Sequence, residues 1–122
     1  MTQYTHIRNA TGKLTIKNTT FLIDPFLAPK DTYPGFEGTF NYQQRIPMVD
    51  LPLSMDQLLS DVDAVVVTHT HLDHWDDSAV QAIPKSLPIF VQNSADQKLI
   101  ISQGFNDVRI IFESVDFNGI TL

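Results

Sequence analysis

Thr68-His69-Thr70-His71-Leu72-Asp73-His74-Trp75 follows directly on the apolar run 64–67. Four side chains able to hold a metal ion, His69, His71, Asp73 and His74, fall within six positions. Imidazole and carboxylate are donors suited to Zn²⁺ or a similar first-row ion. If the apolar run is a strand that extends into the motif, its period of two puts His69 and His71 on one face. A turn after them lets Asp73 and His74 reach the same region from another direction. Three of the four histidines of the chain sit in this segment. Composition alone would produce the pattern roughly a few times in ten thousand chains of this make-up. The spacing therefore reads as a metal site.

These residues resemble the His-x-His-x-Asp-His signature of the metallo-β-lactamase superfamily. The surroundings are similar too: an apolar strand before the motif, a helical stretch after it, and Phe21-Leu22-Ile23-Asp24-Pro25 upstream. The upstream segment resembles the strand whose terminal Asp lies beneath the metals in that superfamily. The stretch Thr32-Tyr33-Pro34-Gly35-Phe36-Glu37-Gly38 most resembles its lactonase-like, metal-dependent hydrolase branch. The resemblance implies an α/β (α+β) fold, half of an αββα sandwich, with a mixed sheet carrying helices on one face. It assigns His69 and His71 to one ion and Asp73 and His74 to a second. Zn²⁺ is the expected metal, with Mn²⁺ or Fe as alternatives. Two such ions about 3.5–4 Å apart share a hydroxide that attacks the substrate. Asp73 takes the catalytic role by orienting that nucleophile. Asp24, behind the ligands, is placed to fix an imidazole tautomer or the motif backbone.

Superfamily members draw further ligands from downstream, whereas no histidine follows His74 here. Their domains also run to about twice this length. Residues 1–122 are therefore expected to be a single N-terminal half-domain, completed by a C-terminal half or by a second copy. The implied function is hydrolysis of a small ester, lactone or phosphorylated metabolite, incomplete in this chain. The alternative is a non-catalytic metal-binding or self-associating half-domain. A nuclease of the same superfamily is disfavoured by a net charge of −6 and only eight Lys and Arg, because phosphate-backbone binding needs a basic stripe.

A content of 43% hydrophobic and 18% charged residues suits a folded domain with a real core. No apolar run is long enough to span a bilayer. No basic-then-apolar leader is evident at the N-terminus. With no cysteine, disulfides and thiolate ligands are excluded. A cytoplasmic protein with a small-molecule substrate is the expectation, without nucleic-acid or membrane partners.

The elements that must position the motif read as strands first, then helix and strand in alternation. Strands are predicted over 7–9, 14–17 and 20–23, with turns at Thr11-Gly12 and Asn18-Thr19. Residues 25–52 lack periodicity and form a long loop of the kind that often carries function. Within it Tyr33, Phe36, Phe40, Asn41 and Arg45 are candidates for a lid, Arg45 for gripping an anionic group. Ser54 with Gln57 predicts a capping box for a helix over 55–60. Asp77 or Ser78 starts a second helix that ends near Pro84, and Ser94 a third that Gly104 stops. Strands are predicted over 88–92, 108–112 and 115–117, with Gly119 starting a last one. Such a sheet has helices on one face and leaves the other apolar and bare. His6 and Trp75 read as an ordinary surface group and a core or pocket-wall ring. Asp76 and Asp77 read as helix-start carboxylates.

Overall fold

The computed structural model describes residues 2–30, 32, 47, 50–71, 74–111 and 114–122. The lid candidates Tyr33, Phe36, Phe40, Asn41 and Arg45, together with Asp73, lie outside the described residues.

Three antiparallel strands open the fold: β1 (Thr2–Arg8), β2 (Thr11–Ile16) and β3 (Thr19–Ile23). The first turn falls at Asn9-Ala10 rather than at Thr11-Gly12, since Asn9 takes the left-handed conformation at φ 50°. Gly12 lies inside β2, where the Tyr4 ring of β1 occupies the space a Cβ would need. The second turn is Lys17-Asn18, one residue earlier than predicted. Both of its residues have positive φ, as a two-residue type I′ hairpin requires.

Helix α1 (Met55–Leu59) leads into β4 (Ala64–Val66), and the predicted Ser54–Gln57 capping box is present in both directions. α2 (Asp77–Ala82), β5 (Ile89–Val91), α3 (Ser94–Ser102) and β6 (Val108–Ile110) follow. α2 starts at Asp77, as predicted, with Asp76 as its N-cap, whereas the N-cap of α3 is Asn93, one residue ahead of the predicted Ser94. Gly104 ends α3 at φ 102°, as read. The six strands form one mixed sheet in sequence order, with β3 to β6 parallel. The parallel join of β3 to β4 is pinned at its entrance. There Asp63 accepts from the Thr20 amide at 2.8 Å and returns its own amide to the Thr20 carbonyl.

Strand periodicity sorts the core into two layers. Leu22, Val65, Ile89, Val91 and Val108 point towards Leu58, Ala79 and Ile100, so all three helices cover one face. Phe21, Ala64 and Phe90 point the other way. That face is not bare as predicted. A hairpin of β7 (Asp116–Phe117) and β8 (Ile120–Thr121) lies over it. Gly119 sits in its turn beside Asn118, both at positive φ, instead of starting the strand. The Phe117 ring meets Phe21 and Phe90 edge-on at 5.9 and 5.4 Å. Among the described residues no helix is long and apolar enough to cross a membrane. Truncation by Phe117→Ala is expected to cost about 2 kcal/mol in urea unfolding, since the ring is only half-buried. An unchanged midpoint would show that the hairpin does not stabilise this face.

Candidate metal centre

Strand β4 ends before the histidines, so the motif is a loop at the C-terminal edge of the parallel strands and not an extension of β4. In open parallel sheets this edge is where ligands bind. The predicted pairing of His69 and His71 nevertheless holds. Their rings are stacked at 5.2 Å between centroids, 17° apart in plane. The chain then turns, with the amides of His74 and Trp75 both donating to the His71 carbonyl. This turn brings the His74 ring edge-on to His69 at 3.8 Å. Three imidazoles are thus gathered in one place.

Asp24 fixes the arrangement from β3. It is buried and left-handed at φ 47°, although it precedes Pro25, where extended backbone is the norm. Asp is among the few residues that tolerate this conformation. Hydrogen bonds hold it from every side. Its amide donates to the Val66 carbonyl at 2.8 Å, and its own carbonyl accepts from the Thr11 hydroxyl at 2.7 Å. Its carboxylate accepts from the Thr68 amide and hydroxyl, both at 2.6 Å, and stands 2.8 Å from His74 Nδ1. A carboxylate can only accept, so a neutral His74 ring carries its proton on Nδ1 and its lone pair on Nε2.

A second clamp lies just beyond the motif. Asp76 accepts from the Leu27 and Ala28 amides at 3.2 and 2.9 Å while capping α2 through the Ala79 amide at 2.9 Å. Buried Arg8 donates to the Phe26 and Ala28 carbonyls at 2.6 and 2.8 Å. Residues 26–28 are therefore held between Arg8 and Asp76. Asp76 is a structural clamp that dipole reasoning on the sequence did not separate from its neighbour, exposed Asp77. Trp75 is core, as read, but it also donates from Nε1 to Gln103 at 2.8 Å and packs on Phe105. His6 is exposed, its Nε2 lying 2.7 Å from the Asn9 carbonyl oxygen.

The donor set can be tested against a metal on its own terms. His69 Nδ1 is buried with no hydrogen-bond partner among the described residues, which leaves it available to a ligand. Two imidazoles on one tetrahedral ion at Zn–N distances of about 2.0–2.1 Å stand with centroids roughly 5 Å apart. The His69–His71 separation matches that spacing. His69 and His74 are closer than sharing an ion allows. Among the described residues no group of three His, Asp or Glu is placed to hold one ion, and the fourth motif donor, Asp73, lies outside them. The chemistry and pairing of the donors fit a divalent ion, with His69 and His71 as the formed pair. Beside them a cleft of about 310 Å³ opens between Val66, Val67, Thr68, Val91, Gln92 and Ile111, mostly apolar in lining.

The two clamps make separable predictions. Asp24→Asn keeps a residue that tolerates positive φ but places an amide where His74 needs an acceptor. It is expected to lower Zn²⁺ affinity about tenfold or more. Asp24→Ala adds a backbone cost and orphans the Thr68 amide, lowering stability by about 3 kcal/mol. Equal affinity in wild type and Asp24→Asn would remove Asp24 from the site. For Asp76, burial pushes the carboxyl above the usual carboxylate range, against the opposing pull of the Ala79, Leu27 and Ala28 amides and of Arg8. A carboxyl raised on folding is protonated more readily in the folded state. Its stabilising contribution is thus full below the ordinary value and is lost as pH rises through the raised one. The stability advantage of wild type over Asp76→Asn should accordingly be larger at about pH 4 than at about pH 7 in urea unfolding. An advantage that grows towards neutrality would contradict this.

No family model matches the chain. It is 48% identical over 118 residues to the UPF0173 protein YddR of Bacillus subtilis (strain 168), a match covering 97% of this chain and 46% of that protein. It is also similar to a solved structure from Veillonella parvula DSM 2008 described as a possible metal-dependent hydrolase. That match has 88% identity and a TM-score of 0.97, over 99% of this chain and 46% of the other. The isothiocyanate hydrolase from Delia radicum gut bacteria matches at 47% identity and TM-score 0.90, over 97% of this chain and 44% of that one. The chain thus spans about half the length of the relatives it matches, 46% of the curated one, and the two solved neighbours at 88% and 47% identity carry hydrolase names.

Proposed function

We propose that residues 1–122 form the N-terminal half of a metal-dependent hydrolase of the metallo-β-lactamase type, acting on a small molecule with an electrophilic carbon. The observation that carries this reading is the gathering of His69, His71 and His74, with the His74 tautomer set by Asp24. His69 and His71 would hold one divalent ion, and Asp73 with His74 a second; Zn²⁺ is preferred, with Mn²⁺ or Fe as alternatives. A bound ion supplies a water that ionises near neutral pH and a Lewis acid for the developing oxyanion. Asp73 would orient the attacking water by accepting a hydrogen bond from it. Asp24 keeps the His74 lone pair on Nε2. The mostly apolar cleft beside Thr68 would suit an uncharged substituent of the substrate. Ester and lactone carbonyls fit this chemistry. The similarity to isothiocyanate hydrolase adds the central carbon of an isothiocyanate to the candidates. A cytoplasmic setting belongs to the same proposal.

A second reading is favoured by one feature: among the described residues no group of three His, Asp or Glu is placed to hold one ion. On that reading the chain is a non-catalytic half-domain that binds metal or associates with a second copy. Elemental analysis and solution mass on protein purified without chelator, followed by assays on a nitrophenyl ester, a lactone and benzyl isothiocyanate, separate the readings. The expected result is bound metal that is lost in His69→Ala and His71→Ala, with hydrolysis of at least one substrate. Bound metal with no turnover would select the non-catalytic reading. Equal metal content in wild type and both variants would overturn the site.

A further inference from the structure

Thr70 lies between the two stacked histidines, and its hydroxyl leaves the cluster to donate to Asp96 Oδ1 at 3.1 Å. Asp96 is buried in the first turn of α3. Its other oxygen accepts from Gln92 Nε2, also at 3.1 Å, and its amide donates to the Asn93 cap at 2.8 Å. Both carboxylate oxygens are thus committed, one to the motif loop and one to a side chain lining the apolar cleft. α3 holds the loop at a second point, since Gln103 at its C-cap accepts from Trp75. The helix therefore grips the motif on both sides of residues 71–74.

We propose that Asp96 is a positioning residue for the metal site, directing His69 and His71 through the Thr70 hydroxyl. Thr70 is flanked by both histidines, so anchoring its side chain to α3 fixes the stretch of backbone that carries them, and their rings stand stacked side by side. Asp24 sets His74 from the β3 side; Asp96 sets the other two from the α3 side. The inference rests on reading these histidines as ligands, so its test needs one measurement that does not involve metal.

Thr70→Val keeps the shape and removes the hydroxyl. Asp96→Ala removes the acceptor, and Asp96→Asn restores an oxygen to Thr70 while Gln92 turns its amide to match. Zn²⁺ titration against a competing chelator should show affinity about tenfold weaker for Thr70→Val and for Asp96→Ala, no further loss in the double variant, and near-complete recovery in Asp96→Asn. In metal-free protein, amide exchange at His69 and His71 should speed up about tenfold in the same two variants and recover in Asp96→Asn. Urea unfolding reports any global loss, and Thr70→Val carries the test alone if Asp96→Ala does not fold. A Thr70→Val protein with wild-type exchange at His69 and His71 would overturn the proposal. Exchange that responds as expected in a wild-type chain that binds no Zn²⁺ would uphold Asp96 and overturn the metal reading instead.

Discussion

The arrangement depends on one carboxylate holding three groups that are distant in sequence. Asp24 gathers the Thr68 amide, the Thr68 hydroxyl and the His74 ring onto two oxygens, across a gap of up to 50 residues. It can do so because β3 and β4 are parallel neighbours, so both strands deliver their C-terminal ends to the same edge of the sheet. The left-handed backbone at Asp24 turns the side chain back across that edge. Such a conformation is strained and persists only where the surroundings fix it on several sides. The amide bond to Val66 and the Thr11 hydroxyl on its carbonyl do this. Thr11 in turn accepts from the Phe26 amide at 2.9 Å, tying the chain on either side of Pro25 to β2.

Around this point the fold works as a jig. Apolar residues on alternate strand positions pack against α1, α2 and α3. The motif loop is then fastened at Thr68 to β3, at Thr70 and Trp75 to α3, and at Asp76 to the start of the long loop. Precise placement of side chains on a loop needs such support, because the loop backbone has no ladder of its own. The charged groups buried near the site, Arg8 and Asp76, bind backbone groups and so fix the chain path, with burial opposing the charged form of each.

Much of this was legible in the sequence where the signal is local. The motif announced itself by residue type and spacing. Ser54 and Gln57 named their capping box, and Gly104 its helix end. Asp24 was singled out for a tautomer or backbone role, and it makes both contacts. What stayed hidden comes from partners far apart in the chain. Thr70 meets Asp96 across 26 residues and Leu27 meets Asp76 across 49, with no periodicity that marks either pair. The turn errors have a different source. Gly12 looked like a turn residue because glycine usually serves turns. Here it makes room for the Tyr4 ring, and Asn9 takes the positive φ instead. The covered second face was missed because two very short strands, β7 and β8, do the covering.

The central claim is that Asp24 presents His74 with its lone pair on Nε2. Long-range ¹H–¹⁵N correlation NMR on the neutral His74 ring measures this directly. The account predicts a single tautomer with the proton on Nδ1 in wild type, replaced by an averaged or Nε2-protonated ring in Asp24→Ala. A wild-type ring protonated on Nε2, or one that averages between both forms, would contradict it.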